Sequence, residues 1–249
     1  MKKTLLSAGV LVLILVGILL VRPSWLGRGS VSPAQVEAMM AKTDFATGLA
    51  AIQEAFPGEY DVFLQNTADM ANAGKDDPNL SARMFDASRA FTSQLRRDNA
   101  HYIGAAPVDA LREVQALNGQ MLHFLAADPE LCALYAGAGL EGFTQGQALR
   151  LDSDLLSKLL AASMRAMAAG RDTPAQHTPP SDADRAELIE GWMDANQLDA
   201  EAAEVVFQNR ISDPRFCTIA TQFQDYLVET KTPAVDRVMV DVSTAMAAQ

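Results

Sequence analysis

Apolar side chains recur every three or four positions along much of the chain. Leu80, Met84, Ala87, Phe91 and Leu95 form one such stripe, with Arg83, Asp86, Arg89, Ser93 and Arg96 between them. Val235, Val238, Val242 and Met246 form another. This period puts each set on one side of an α-helix, and a face of that kind must cover something apolar. Leu155, Leu156, Leu159, Leu160, Ala162, Met164 and Met167 make a wider apolar face, which predicts a helix near the centre of the core. No alternating run is long enough to form a strand. The pattern predicts an all-α fold, a multi-helix bundle-like body.

Punctuation marks the helix ends. Ser32-Pro33-Ala34-Gln35 combines a capping serine, a proline at the first helical position and a glutamine three residues after the cap. Asp77-Pro78, Asp128-Pro129, Asp213-Pro214 and Thr232-Pro233 repeat the cap-then-proline signature, and Ser181 with Asp184 offers a similar start. Pro57-Gly58, Gly74, Gly104 and Gly170 read as stops. The conspicuous break in the body is the Pro-rich connection 171–180. It either divides the body into two units or joins helices of one.

The first thirty residues differ from the rest. After Met1-Lys2-Lys3, every residue from Thr4 to Val21 is apolar or small, a run of 18 positions. As a helix it is about 27 Å long, close to the hydrocarbon thickness of a bilayer. Trp25 follows at interfacial depth. A cleaved signal peptide has a shorter apolar region and a small-x-small cleavage site, and Arg22-Pro23-Ser24-Trp25 makes a poor one. A buried helix of a soluble domain is the third alternative. The expected organisation is a single transmembrane anchor with its juxtamembrane segment over residues 1–30, then an acidic helical domain over 31–249. The short basic start favours the amino terminus in the cytoplasm and the body outside, as in a bacterial inner-membrane protein facing the periplasm.

Charge narrows the partners. The chain carries 20 basic and 31 acidic residues, a net −11. Lys2, Lys3, Arg22 and Arg28 belong to the leader, which has no acid, so the body holds 16 basic against 31 acidic residues, or −15. Nucleic-acid affinity rests on Lys and Arg neutralising phosphates, so nucleic acid is excluded as a partner. Membrane lipid through the N-terminal helix and a protein partner are the expected contacts.

The two cysteines, Cys132 and Cys217, share the context Asp-Pro-x-apolar-Cys, and Asp77-Pro78-Asn79-Leu80-Ser81 echoes it with serine. On an oxidising membrane face, two cysteines in total point to one structural disulfide. Separate buried thiols and a redox-active pair are the alternatives, the latter without Cys-x-x-Cys.

Other motifs lack the context their chemistry needs. Gly137-Ala138-Gly139-Leu140-Glu141-Gly142 matches the dinucleotide fingerprint by letter, but it follows a helix rather than a strand and reads as a turn between helices. Asp194-Ala195-Asn196 opens like a calcium loop that Leu198, Asp199 and Val205 then break, so Asp199 reads as a helix cap. His101, His123 and His177 are scattered, with His123 between Leu122 and Phe124 expected to be partly buried. Glu187, Glu190, Glu201 and Glu204 read as a solvated face, and Arg96-Arg97 as cations favouring a helix C-terminus. No catalytic residue, cofactor or metal ligand is assigned. The expected function is a membrane-anchored interaction or scaffolding protein of a bacterial-type cell envelope. A binding protein for a small apolar ligand or lipid is the first alternative, and an enzyme using an unrecognised carboxylate site the second.

Overall fold

The computed structural model describes residues 30–248, and among these residues there are helices and no strands. In chain order they are α1 (Pro33–Met40), α2 (Ala46–Ala55), α3 (Pro57–Ala73), α4 (Leu80–Asp98), α5 (Ala100–Ile103), α6 (Val108–Leu125), α7 (Pro129–Ala138), a 3-10 turn (Gly139–Gly142) and α8 (Gln145–Ala148). There follow α9 (Ser153–Asp172), α10 (Asp182–Asn196), α11 (Ala200–Phe207), α12 (Phe216–Glu229) and α13 (Pro233–Ala247). The apolar run Thr4–Val21 lies outside the described residues. Among the described residues no helix is long and apolar enough to cross a membrane.

The helix starts follow local chemistry. Ser32 and Gln35 close a reciprocal capping box at α1, while Asp128, Asp199 and Thr232 accept from Leu131, Ala202 and Val235 N–H groups at α7, α11 and α13. Two of the Asp-Pro pairs behave differently. Asp77 and Asp213 accept from the N–H groups of Asn79 and Arg215, both at 2.8 Å, two residues on. They make a turn, and α4 and α12 begin only after it. Gly74 and Gly104 cap α3 and α5 as expected. Pro57 instead opens α3 directly after Phe56, and Gly170 lies inside α9 rather than ending it.

α9 is the central helix. Leu159, Leu160, Met164, Ala166 and Met167 are almost wholly buried, and α9 packs most extensively on α2 and α6. Trp192 of α10, Phe207 of α11's end and Phe223 of α12 meet edge to face at 5.2–5.9 Å between ring centroids. The contiguous apolar core draws residues from both sides of the 171–180 connection. That connection lies along the α5–α6 turn: the Ala175 N–H donates to the Ala105 carbonyl at 2.8 Å, and His177 Nε2 lies 2.8 Å from the Ala106 carbonyl.

α10 and α13 are joined by charge as well as by apolar packing. Ser181 caps α10, Asp184 closes the reciprocal capping box by accepting from the Ser181 N–H, and Asp184 is gripped by Arg237 of α13, whose Nε lies 3.0 Å from Oδ2. The Arg237 guanidinium and then the Ser181 backbone N–H hold the Asp184 carboxyl well below its ordinary value of 3.8. A carboxyl depressed in the folded state stabilises the protein fully above its unfolded pKa, and that contribution fades as pH falls below about 4. Asp184→Asn is therefore expected to flatten the acid limb of a melting temperature–pH profile below about pH 4. An unchanged acid limb would show that this clamp does not report on folding.

Candidate functional site

α4 buries Leu80, Met84 and Leu95 of its predicted stripe, but its buried face is turned from the one its sequence predicts. Its fully buried positions include Ser88, Thr92, Ser93 and Arg96, while Ala87 and Phe91 of the predicted stripe are only partly covered and Ala90 is exposed. Polar contacts explain the rotation. Arg96 Nη2 lies 3.0 Å from Glu141 Oε1, Arg89 donates to the Glu141 carbonyl at 3.1 Å, and Gln145 donates to Ser81 at 3.1 Å. These bonds hold one side of α4 against the 139–145 segment and leave its apolar stripe facing α3. Arg96 and Arg97 fall in the last turn of α4 as expected, and Arg96, only 3% exposed, is in addition ion-paired with Glu141.

Between α3 and α4 lies an open groove of about 930 Å³. Its walls are mostly apolar, with Val62, Phe63 and Met70 from α3 and Met84, Ala87, Ala90, Phe91 and Leu95 from α4. The Phe63 and Phe91 rings stack across its floor with centroids 4.5 Å apart. Val62 is 59% exposed. Glu59 and Asp98 stand together at the end where α3 begins and α4 finishes, and Asn66, Thr67 and Gln94 add neutral polar atoms along the sides. Leu80, Met84 and Leu95 of the stripe are buried, but Ala87 and Phe91 are only partly covered and, with exposed Val62 and Ala90, leave apolar surface facing solvent, the usual mark of an interaction site.

The other candidates lead elsewhere. Cys132 of α7 and Cys217 of α12 form a disulfide with their Cα atoms 5.5 Å apart. The two residues are 0% and 6% exposed, so the bridge is sealed in the core, and a redox-active pair finds no access there. A second cavity, lined by Ile103, Leu111, Val114 and Met167 with Gln115 and Ser243, measures about 30 Å³. That is room for a water molecule or two, too little for a lipid. Gly137 ends up in α7 and Gly139–Gly142 in the 3-10 turn, a connection between helices as expected, with no strand before it.

Glu187, Glu190, Glu201 and Glu204 are exposed. Glu201 pairs with Arg215 at 3.0 Å and Glu204 with Arg210 at 2.8 Å. His123 is exposed rather than partly buried, and its Nε2 lies 3.0 Å from both carboxylate oxygens of Asp225. Among the described residues no group of three or more His, Cys, Asp or Glu side chains is placed to hold a metal ion.

The groove residues Glu59, Val62, Ala90 and Asp98 went unmarked in the sequence. The usable signal was the α4 stripe itself, since Met84, Ala87, Phe91 and Leu95 all line the groove. No family model matches the chain, and neither a curated protein nor a solved structure matches it.

Proposed function

We propose that this protein is a membrane-tethered interaction module of a bacterial-type cell envelope, and that its α3–α4 groove receives a helical segment of a partner protein. The observation that carries this is the open trough in which exposed Val62 and Ala90 and partly covered Ala87, Phe91 and Met70 present apolar surface above the buried Phe63, Met84 and Leu95. An amphipathic helix presents apolar residues at the same three-and-four spacing and fits such a trough along its length. Covering this surface is worth about 25 cal/mol per Å² of apolar area, less the entropy lost on association.

The tether rests on the 18-residue apolar run from Thr4 to Val21. The buried disulfide supports a body on the oxidising side of the membrane, where such bridges persist. The described chain begins beside the groove. The Val31 N–H donates to Asn72 Oδ1 at 2.7 Å and the Asn72 amide returns a bond to the Val31 carbonyl at 2.8 Å, close to the end of α3.

A photo-crosslinking residue at Val62, used in native membranes, is expected to capture a defined protein that the same residue at Glu190 does not. Ala90→Arg fills the trough from an exposed helical position, so it abolishes that crosslink. Its effect on stability stays within about 0.5 kcal/mol, as for surface substitutions generally. Equal capture at both positions, or capture that survives Ala90→Arg, overturns the docking site. Separately, the full chain is expected to stay in carbonate-washed membranes and its body to be cut by external protease in spheroplasts. Soluble protein beginning after Trp25 overturns the tether.

A further inference from the structure

We infer that the helix entering the α3–α4 groove is cationic at its amino-terminal end and apolar along the remainder. This inference rests on the docking role proposed above and specifies the partner's chemistry. The charged residues lining the groove are both acids, Glu59 and Asp98, and both stand at the same end.

The cations of α4 are directed away from them. Arg83 pairs with Asp77 at 2.9 Å, Arg89 with Asp86 at 3.3 Å, and Arg96 and Arg97 both with Glu141. Asp98 accepts from the neutral amide of Gln94 at 2.7 Å. Among the described residues Arg171 lies within electrostatic reach of Glu59. It senses the Glu59 charge, but its guanidinium binds Asp172 and the Ala55 carbonyl and covers the Phe56 ring. At the opposite end of the groove the partly covered Met70, beside the buried Met84, offers a flexible thioether that adapts to varied apolar side chains.

An incoming segment therefore meets negative charge at one end and soft apolar surface at the other. A helix satisfies both if its N-terminus lies at the Glu59–Asp98 end. Its macrodipole is positive there, and Lys or Arg in its first turn adds to the attraction. The segment then runs parallel to α3 and antiparallel to α4. Along α3, from Gly58 to Met70, the trough is about 18 Å long, which takes roughly 12–14 helical residues. The body's charge of −15 draws such a segment in from a distance.

The test uses the full chain in nanodiscs of zwitterionic lipid, with empty discs as the blank, and three fluorescent helical peptides of about 14 residues. All three share one Leu/Ala stripe; one carries two lysines at its N-terminus, one carries them at its C-terminus, and one carries two glutamates at its N-terminus. The N-terminal lysine peptide is expected to bind about tenfold more tightly than the glutamate peptide, the sum of two partly exposed ion pairs. Its affinity falls as salt rises. Glu59→Gln with Asp98→Asn removes both acids from exposed positions and erases that difference without lowering the melting temperature.

Equal binding by all three peptides, lost in Ala90→Arg, overturns the charge assignment while the groove stands. Tighter binding of the C-terminal lysine peptide overturns the orientation. If light scattering finds a dimer that Ala90→Arg dissolves, the occupant is a second copy and the inference fails. Absence of binding by any peptide overturns it too, and the Val62 crosslink then decides separately whether the groove docks anything.

Discussion

Replacing Cys132 and Cys217 together by alanine is expected to lower the melting temperature of the protein by about 10–15 °C. The bridge joins residues 85 apart, so it closes a loop of 217 − 132 + 1 = 86 residues in the unfolded chain. Loop entropy puts the stabilisation at about 4–5 kcal/mol, an upper figure. A body of this size loses about 2–4 °C per kcal/mol. The loop contains the whole 171–180 connection, so without the bridge α7 and α12 must find each other across a long flexible excursion. The native helices do not need the bond for their own shape: Asp128 caps α7, and Phe216, Ile219 and Phe223 seat α12 in the core. The double variant should therefore keep its helical circular dichroism at 20 °C while its unfolding shifts. A melting temperature within about 2 °C of the parent would mean that the unfolded chain gains no freedom when the bridge is removed.

The sequence made the helices legible because their signals are local. The apolar period of 155–167 marks a central helix, and α9 is one; Asp199 and Ser181 read as caps and act as caps. Asp77-Pro78 and Asp213-Pro214 were misplaced by about two residues, because an Asp carboxylate serves a turn as readily as a helix N-cap. The site was less legible. The stripe through Met84 and Phe91 predicts a face that needs covering. How far a neighbouring helix covers Ala87 and Phe91 depends on how α4 is rotated, and contacts such as that of Arg96 with Glu141, 45 residues on, bear on that rotation. No local period records such a contact. His123 illustrates the same gap: its apolar neighbours suggested burial, but its own direction on α6 takes it out to Asp225.

Gly170 packs directly against the α5 turn. It looks like a helix stop, yet α9 continues through it, because what the position requires is the absence of a side chain. A Cβ at Gly170 would lie 1.9 Å from the Tyr102 carbonyl oxygen and 2.9 Å from the Ala106 nitrogen. Both are backbone atoms, which cannot swing aside as a flexible side chain can. Gly170→Ala must push the end of α9 away from the α5 turn, and with it the Ala175 and His177 contacts to Ala105 and Ala106. The expected cost is about 3 kcal/mol, at the upper end for overpacking, or roughly 6–12 °C in melting temperature. Gly146→Ala is the control. Nothing lies within 4 Å of a Cβ there, and removing a helical glycine stabilises by about 0.5–1 kcal/mol. Asp98 lies just before α5, and Arg171, which senses Glu59, follows Gly170 directly, so the displacement is expected to extend to the groove. Gly170→Ala should then weaken the N-terminal lysine peptide more than the glutamate peptide, at a temperature where the variant is still folded. Loss of stability with no change in that preference would confine the α9–α5 contact to folding and separate it from docking.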